Sequence, residues 1–349
     1  MSFIKTAPQF GAVPAGPRLE KISKSVNYGD SHFINQITTE MDMNFPKMMG
    51  VMYEWIFNSD GRVPPKPLPV KFNERVVGYP DSLAKITWYG HSAILLEIDG
   101  KNILIDPMLG SAASPVSFMT KRFDYEMPID LNVIAEVDAI VLSHDHYDHL
   151  DYSSIMKLKD KADHFYTPLG VGAHLERWGV EPGRITELDW WESAQIGETK
   201  LVAAPARHFS GRGLTDRNKT QWASWLILGV HEQIYFSGDS GYGPHFEEIG
   251  RQYGPFDFAM MECGQYNERW EAIHMLPEQT IQASLDLTCK AMMPIHWSAF
   301  NLSLHNWTEP VERALKAAKI HNVPMITPQI GYRFCPGILQ ENTAWWREI

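Results

Sequence analysis

Cysteine is scarce in this chain. Cys263, Cys289 and Cys335 are the only three in 349 residues, an odd count, and they lie far apart. That speaks against a disulfide framework and makes a reducing compartment the expectation. None sits in a Cys-x-x-Cys pair, so sulfur-ligated zinc is not expected either. No run of about 18 apolar residues occurs, which is the length a membrane-spanning helix needs. The N-terminal MSFIKTAPQFGAVPAGPRLEK has neither a continuous apolar core nor a cleavage pattern, so no signal peptide is expected and a cytoplasmic location is. Positive charge is short as well: 31 Lys and Arg face 42 Asp and Glu, a formal net charge of −11, with no basic run. Such a surface repels phosphate backbones, so nucleic acid is not an expected partner.

The remainder is an ordinary globular composition, 44% hydrophobic and 21% charged. The length suits one large domain or two modest ones. Residues 1–40 are polar and rich in Gly, Pro and Ser, which reads as an extended arm. Phe45, Met48, Met49, Met52, Trp55 and Ile56 follow at a spacing that puts one apolar stripe on a helix. The stripe is expected to pack on the rest of the chain or on a second subunit of a homodimer. The alternative is peripheral contact with a bilayer surface. GRVPPKPLPV (61–70) then breaks any helix, because proline lacks the N–H and fixes φ. The expected division is an N-terminal arm over 1–75 and a main domain over 76–349.

From residue 85 short strands are predicted at Lys85–Tyr89, Ala93–Ile98, Asn102–Ile105, Ala139–Leu142, Lys200–Ala203, Trp222–Leu228, Gln233–Ser237, Phe258–Glu262 and Ala291–Ile295. Asp99-Gly100 signals a tight hairpin turn. Helices are predicted at Tyr152–Lys159, Gly172–Trp178, Pro244–Gln252, Pro277–Thr288 and Pro310–Lys319. This order suggests a layered α/β sandwich: two sheets face to face, helices outside.

One segment carries chemistry. The apolar strand Ala139–Leu142 runs into Ser143-His144-Asp145-His146-Tyr147-Asp148-His149. Alternate residues of an extended chain point the same way, so His144 and His146 can reach one metal ion. A turn then lets Asp148 and His149 face a second. Imidazole and carboxylate are the donors that suit zinc without thiols, and they also accommodate iron or manganese in one site. Three later apolar runs end in further donors, at His208, Asp239 and His296. The assignment is His144, His146 and His208 on one ion, Asp148, His149 and His296 on the other, and Asp239 bridging. Asp106, before Pro107 at a strand end, is expected to fix the outer nitrogen of a ligating His. For His91 the residues leave open a core histidine or a place at the site's edge.

The motif His-x-His-x-Asp-His from His144 to His149 resembles that of the metallo-β-lactamase superfamily, which implies a four-layer αβ/βα sandwich of two mixed sheets with two zinc ions at one edge. WYGHSAILLEIDGKNILIDPMLGSAASP (88–115), LSHDHYDHLDYSS (142–154), ELDWWE (187–192), TQWASWLILG (220–229), SGDSGYGPHFEEIG (237–250) and PIHWSAF (294–300) narrow the likeness. They resemble the N-acyl-phosphatidylethanolamine-hydrolysing phospholipase D family and its bacterial relatives. The resemblance implies hydrolysis of a phosphodiester in a phospholipid headgroup, giving N-acylethanolamine and phosphatidic acid. It also implies catalytic roles for Asp148, Asp239 and His274, a substrate cleft lined by Tyr266, Arg269 and Trp270, and a dimer. The pattern departs at Ile273, where a polar residue is expected. Two cations about 4 Å apart would hold a hydroxide at neutral pH that attacks phosphorus. The same metal pair also opens lactones and esters, which is the alternative reading. Trp190 and Trp191 are expected to be structural.

Overall fold

The computed structural model describes residues 7–42, 44–58, 60–72, 80, 82–130, 134, 136–338 and 343–349. The division expected between residues 75 and 76 lies outside the described residues.

The N-terminal segment is not the extended arm that its composition suggests. It forms a short helix, α1 (Pro17–Ile22), and a hairpin of β1 (Tyr28–Gly29) and β2 (His32–Phe33). Ile22 and Phe33 are fully buried in the main core, as is Leu68 of the proline-rich connector. Apolar burial at roughly 25 cal/mol per Å² fixes the segment despite its polar composition. Arg18 adds paired bonds to Glu176 and Glu187 at 2.8–3.0 Å.

The second helix, α2 (Phe45–Phe57), starts as predicted. Asn44 caps it by accepting from Lys47 N, and Pro46 occupies the first turn. The expectation that its stripe packs against the chain is overturned: none of its residues is buried. Phe45, Met48, Met49, Met52, Trp55, Ile56 and Phe57 are each 41–70% exposed. Polar anchors hold the helix instead. The buried Arg62 donates to the carbonyls of Glu54, Trp55 and Asn58 at its C-terminal end, and Arg269 pairs with Glu54 at 2.7 Å.

Two sheets follow. The first holds β3 (Lys85–Trp88), β4 (Ile94–Ile98), β5 (Lys101–Ile105), β6 (Val137–Val141), β7 (Ala162–Pro168) and β8 (Ile185–Leu188) in that order. The second holds β9 (Ser193–Ile196), β10 (Thr199–Ala204), β11 (Ser224–Leu228), β12 (Gln233–Phe236), β13 (Phe258–Glu262) and β14 (Met292–Ile295), again in sequence order. The last strand, β15 (Arg333–Phe334), returns to the open edge of β3. Both sheets are mixed: β5 to β8 pair in parallel, as do β12 to β14, and the remaining pairs are antiparallel. The hairpin predicted at Asp99-Gly100 is present. Both residues take positive φ, 48° and 72°, the twist that a two-residue loop between antiparallel strands requires.

The main core lies between the sheets, where Trp88, Leu96, Ile103 and Ile105 meet Leu201, Ala203, Trp225 and Phe236. Alternate residues of the first sheet, Leu104, Ile140 and Phe165, face outward under α3 (Tyr152–Leu158) and α4 (Gly172–Arg177). On the far side, α5 (His245–Tyr253), α6 (Pro277–Asp286) and α7 (Glu309–His321) bury Phe246, Ile281 and Val311 against the second sheet. The layers are therefore helix, sheet, sheet, helix. The C-terminal ends of β5, β6, β10, β12 and β14 are followed directly by the candidate donors, and this arrangement builds the site.

Candidate metal centre

Each donor enters from the loop after a strand. Asp106 follows β5, His144 to His149 follow β6, His208 follows β10, Asp239 follows β12 and His296 follows β14. Three of the site residues adopt left-handed backbone without being glycine: His91 (φ 53°), Asp106 (φ 40°) and His296 (φ 68°). Such conformations persist where surrounding structure over-determines them. Here backbone bonds do so, because His91 N donates to Trp297 O and His296 N to His91 O, both at 2.9 Å. Gly264 presses on the same loop. A Cβ there would lie 1.9 Å from His296 O, so no larger residue fits.

The side chains converge in two groups. His144, His146 and His208 bring one nitrogen each together, with Nε2 of His144 and of His208 lying 2.9 and 3.2 Å from Nδ1 of His146. His91, Asp148, His149 and His296 form the second group. Asp239 lies between them. Its Oδ1 is 3.1 Å from His149 Nε2 and 3.0 Å from His296 Nδ1, and its Oδ2 is 3.8 Å from Nε2 of both His144 and His208. The assigned donors are thus brought together, with His91 at the edge of the second group, 3.0 Å from Asp148 Oδ2.

His149 Nε2 and Asp239 Oδ1 are buried and have no hydrogen-bond partner. Unpartnered buried polar atoms are costly, and a cation between the two groups would satisfy both. The donor set, imidazoles and carboxylates without thiols, therefore fits a metal pair. Electrostatics agree. Burial, and then the neighbouring imidazoles, hold His144 well below the usual histidine range, so it presents a free lone pair at neutral pH. Burial opposes ionisation of Asp148, yet the imidazoles of His149 and His91 hold it well below the usual carboxylate range.

Asp106 takes the position expected of it. It is fully buried, its Oδ2 accepts from His149 Nδ1 at 2.7 Å and its Oδ1 from Ser143 N at 2.7 Å. This fixes which nitrogen of His149 faces the centre. Asp106→Asn should therefore lower metal affinity tenfold to a hundredfold, roughly what outer partners of metal ligands contribute. Chelator competition measures it, and unchanged affinity would leave Asp106 a turn residue only. Asp145, within the same motif, points away from the centre. It accepts from His174 Nε2, Gly211 N and Thr220 Oγ1 at 2.8–3.2 Å, bracing the loop from behind.

A cavity of about 250 Å³ opens above the donors. Its floor is His146, Asp148, Asp239 and His296, its walls are Met41, Phe209, Trp270, Ile273 and Leu302, and Gln265 and His274 complete it. Trp270 and His274 thus line the cavity. Tyr266 and Arg269 do not: they line an adjoining cavity beside α2, where Tyr266 donates to Glu309 and Arg269 pairs with Glu54. Sequence reasoning missed Met41, Phe209, Gln265 and Leu302, which carry no motif. It also missed Glu262, fully buried at the end of β13, whose Oε1 accepts from His274 Nδ1 at 2.9 Å. Trp190 is buried and donates to Trp222 O, and Trp191 stacks on Tyr253, both structural.

Comparison with known proteins shows the family and the fold. The sequence profile of the Beta-lactamase superfamily domain matches residues 101–297. An uncharacterized protein of Mycobacterium tuberculosis is 41% identical over 93% of this chain and 88% of its own. The N-acyl-phosphatidylethanolamine-hydrolyzing phospholipase D 1 of Caenorhabditis elegans is 31% identical over 61% of this chain and 64% of its own. Among solved structures, a metallo hydrolase from the archaeon Ignicoccus hospitalis superposes with a TM-score of 0.55 at 21% identity, covering 72% of this chain and 97% of that one. Among the described residues no helix is long and apolar enough to cross a membrane.

Proposed function

This chain belongs to the metallo-β-lactamase superfamily of metal-dependent hydrolases, and from that premise we propose that it is a phospholipase D type phosphodiesterase acting on N-acyl-phosphatidylethanolamine. The observation that carries the reading is the cavity: apolar walls of Met41, Phe209, Trp270, Ile273 and Leu302 stand directly on a metal-binding floor. A substrate suited to it joins an apolar group closely to an anionic, hydrolysable centre. An N-acylated phosphodiester headgroup has that form. The partial likeness to the nematode phospholipase supports it.

His144, His146 and His208 would hold one zinc ion, Asp148, His149 and His296 the other, and Asp239 both. Bound there, the ions supply an activated water at neutral pH and neutralise charge on the phosphoryl oxygens. The chain's own residues do the rest. His274, with Nδ1 engaged by Glu262, presents Nε2 to the cavity and gives a proton to the leaving oxygen. Trp270 and Phe209 keep bulk water from the reacting centre and orient the apolar group.

The reading extends to the surface. α2 is joined to the cavity wall through Glu54 and Arg269, next to Trp270, and its apolar side chains are uncovered. A lipid surface is the occupant we assign to it. Replacing Met49, Met52, Trp55 and Ile56 with polar residues should abolish co-sedimentation with phosphatidylethanolamine-containing vesicles. It should leave stability within about 0.5 kcal/mol, because none is buried. A loss of dimer instead of vesicle binding would assign the face to a second copy.

The test of function is direct. Zinc-loaded protein is incubated with N-acyl-phosphatidylethanolamine micelles, and released N-acylethanolamine is followed by mass spectrometry. Turnover of a lactone without release from the lipid would replace the phosphodiesterase reading with a lactonase one.

A further inference from the structure

Glu262 ends β13 with every polar group engaged. Its N–H donates to Ser237 Oγ at 2.8 Å and its carbonyl accepts from Thr280 Oγ1 at 2.8 Å. Its carboxylate takes His274 Nδ1 on Oε1, at 2.9 Å, and Met275 N on Oε2, at 3.1 Å. Two bonds from the loop that carries His274 and Met275 therefore fix the buried side chain, and two more hold its backbone. A carboxylate with no exposed surface costs several kcal/mol to hold unless its partners are well placed. An apolar residue of similar size would fill the same space at lower cost. The carboxylate's hydrogen bond toward the cavity goes to His274.

His274 is fixed by this contact alone on its Nδ1 side. Its ring stacks at 5.3 Å on His296 and meets His208 edge-on at 5.1 Å. Those rings set the tilt of the imidazole but leave it free to flip between its two nitrogens. The carboxylate removes that freedom: Nδ1 points at Glu262, and Nε2 is left to face the cavity.

We infer that Glu262 is a positioning residue that commits His274 to present Nε2, and not Nδ1, to the oxygen that leaves the substrate. This rests on the hydrolytic reading of the site above. It also narrows the substrate class to esters whose leaving group is an alkoxide, because such an oxygen needs a proton as it departs while a nitrophenolate does not. In the step served, water's oxygen bonds to phosphorus and the bond from phosphorus to the leaving oxygen breaks. That oxygen keeps the electron pair and takes the proton from Nε2. The proton released by the water restores the imidazole.

Glu262 also lies within ligand reach of His274 and His296, so a metal-binding role is the competing account. Glu262→Gln separates the two. Glutamine keeps the volume and the acceptor for Met275 N, but turns an N–H donor toward His274 Nδ1. The expected result is two zinc ions per chain, as in the parent, and hydrolysis of an alkyl phosphodiester lowered by about tenfold to a hundredfold. Hydrolysis of bis(p-nitrophenyl) phosphate should fall by less than about threefold. In a His274→Ala background the same substitution should have no further effect. Nitrogen-15 NMR of the imidazoles supplies a readout independent of substrate: Nδ1 of His274 carries hydrogen in the parent and loses it in Glu262→Gln. Loss of zinc, equal losses on both leaving groups, additivity with His274→Ala, or an unmoved Nδ1 signal would each overturn the inference. A parent protein inactive on both phosphodiesters would sink the phosphodiesterase reading only, and the NMR signal would still decide the role of Glu262.

Discussion

Asp239→Asn will keep the fold and lose activity by more than about a hundredfold, the ceiling for removing a mere outer partner of a metal ligand. The reason lies in its place between the two groups. Oδ1 faces His149 and His296 at 3.1 and 3.0 Å, and Oδ2 faces His144 and His208 at 3.8 Å. No other described carboxylate reaches both groups within 4 Å of their nitrogens. Asparagine has the same size, so packing in this buried position is kept. What it loses is the negative charge and one donor oxygen, and an amide nitrogen does not bind a metal cation. Zinc content measured on dialysed protein should drop from two ions per chain to one or fewer. Activity and metal content should fall together. A variant holding two ions with near-parent turnover would remove Asp239 from the centre and break the pairing of the sites. A variant with two ions and no turnover would give Asp239 a part in the reaction beyond holding the pair.

The donors were legible because their residue types are themselves the signal. Histidine and aspartate at seven positions after apolar strands leave few bland readings, and the fold delivers those strand ends to one edge. Asp106 was legible for a related reason, as a carboxylate at a strand end beside proline. Glu262 was not. It closes the apolar strand Phe258–Glu262, where a terminal glutamate reads as a solvated end. Its partner His274 lies in a loop with no periodicity to link the two. The cavity walls were silent for a different reason. Met41, Phe209 and Leu302 come from three distant loops, and only the closed topology makes them neighbours. Strands β7, β8 and β9 went unpredicted because ADHFYTP, ITEL and SAQI mix polar residues into short runs without alternation. The stripe on α2 reads as a packed face. Periodicity establishes that a face exists and carries no information about what covers it, and here none of the described residues does.

Stripping the metal should lower the melting temperature by roughly 10 °C or more, and the stripped protein should lose stability further as pH falls from 7 to 5. The first effect is mass action. Each ion held at a thousand times its dissociation constant stabilises the native state by about 4.1 kcal/mol. A chain of this size shifts by about 1–2 °C per kcal/mol. The second effect follows from the imidazoles left behind. Burial holds His144, His208 and His296 well below the ordinary histidine value, and burial lowers His146 and His91 as well. Above pH 6.5 neither state protonates these groups and their contribution is complete. As pH falls through 6.5 the unfolded chain takes up protons that the folded chain refuses, so stability declines toward the lower, folded values. His149 works in the opposite sense. Burial opposes its charge, but Asp239, Asp148 and Asp106 raise it well above 6.5, so its stabilisation is present in acid and fades as pH rises through that raised value. The carboxylates Asp148 and Asp239 are depressed, so they begin to cost stability only below about pH 4, outside this window. His274 and the buried Glu262, raised to about 7, act in the same sense as His149, while burial also lowers His164, His245 and His305; eight lowered imidazoles against three raised groups set the net direction between pH 7 and 5. Calorimetry of chelated and zinc-loaded protein across that range measures both effects, the loaded form staying flat until protons displace the ions. Identical melting temperatures with and without chelator, unchanged from pH 7 to 5, would mean that these histidines neither hold metal nor sit buried together.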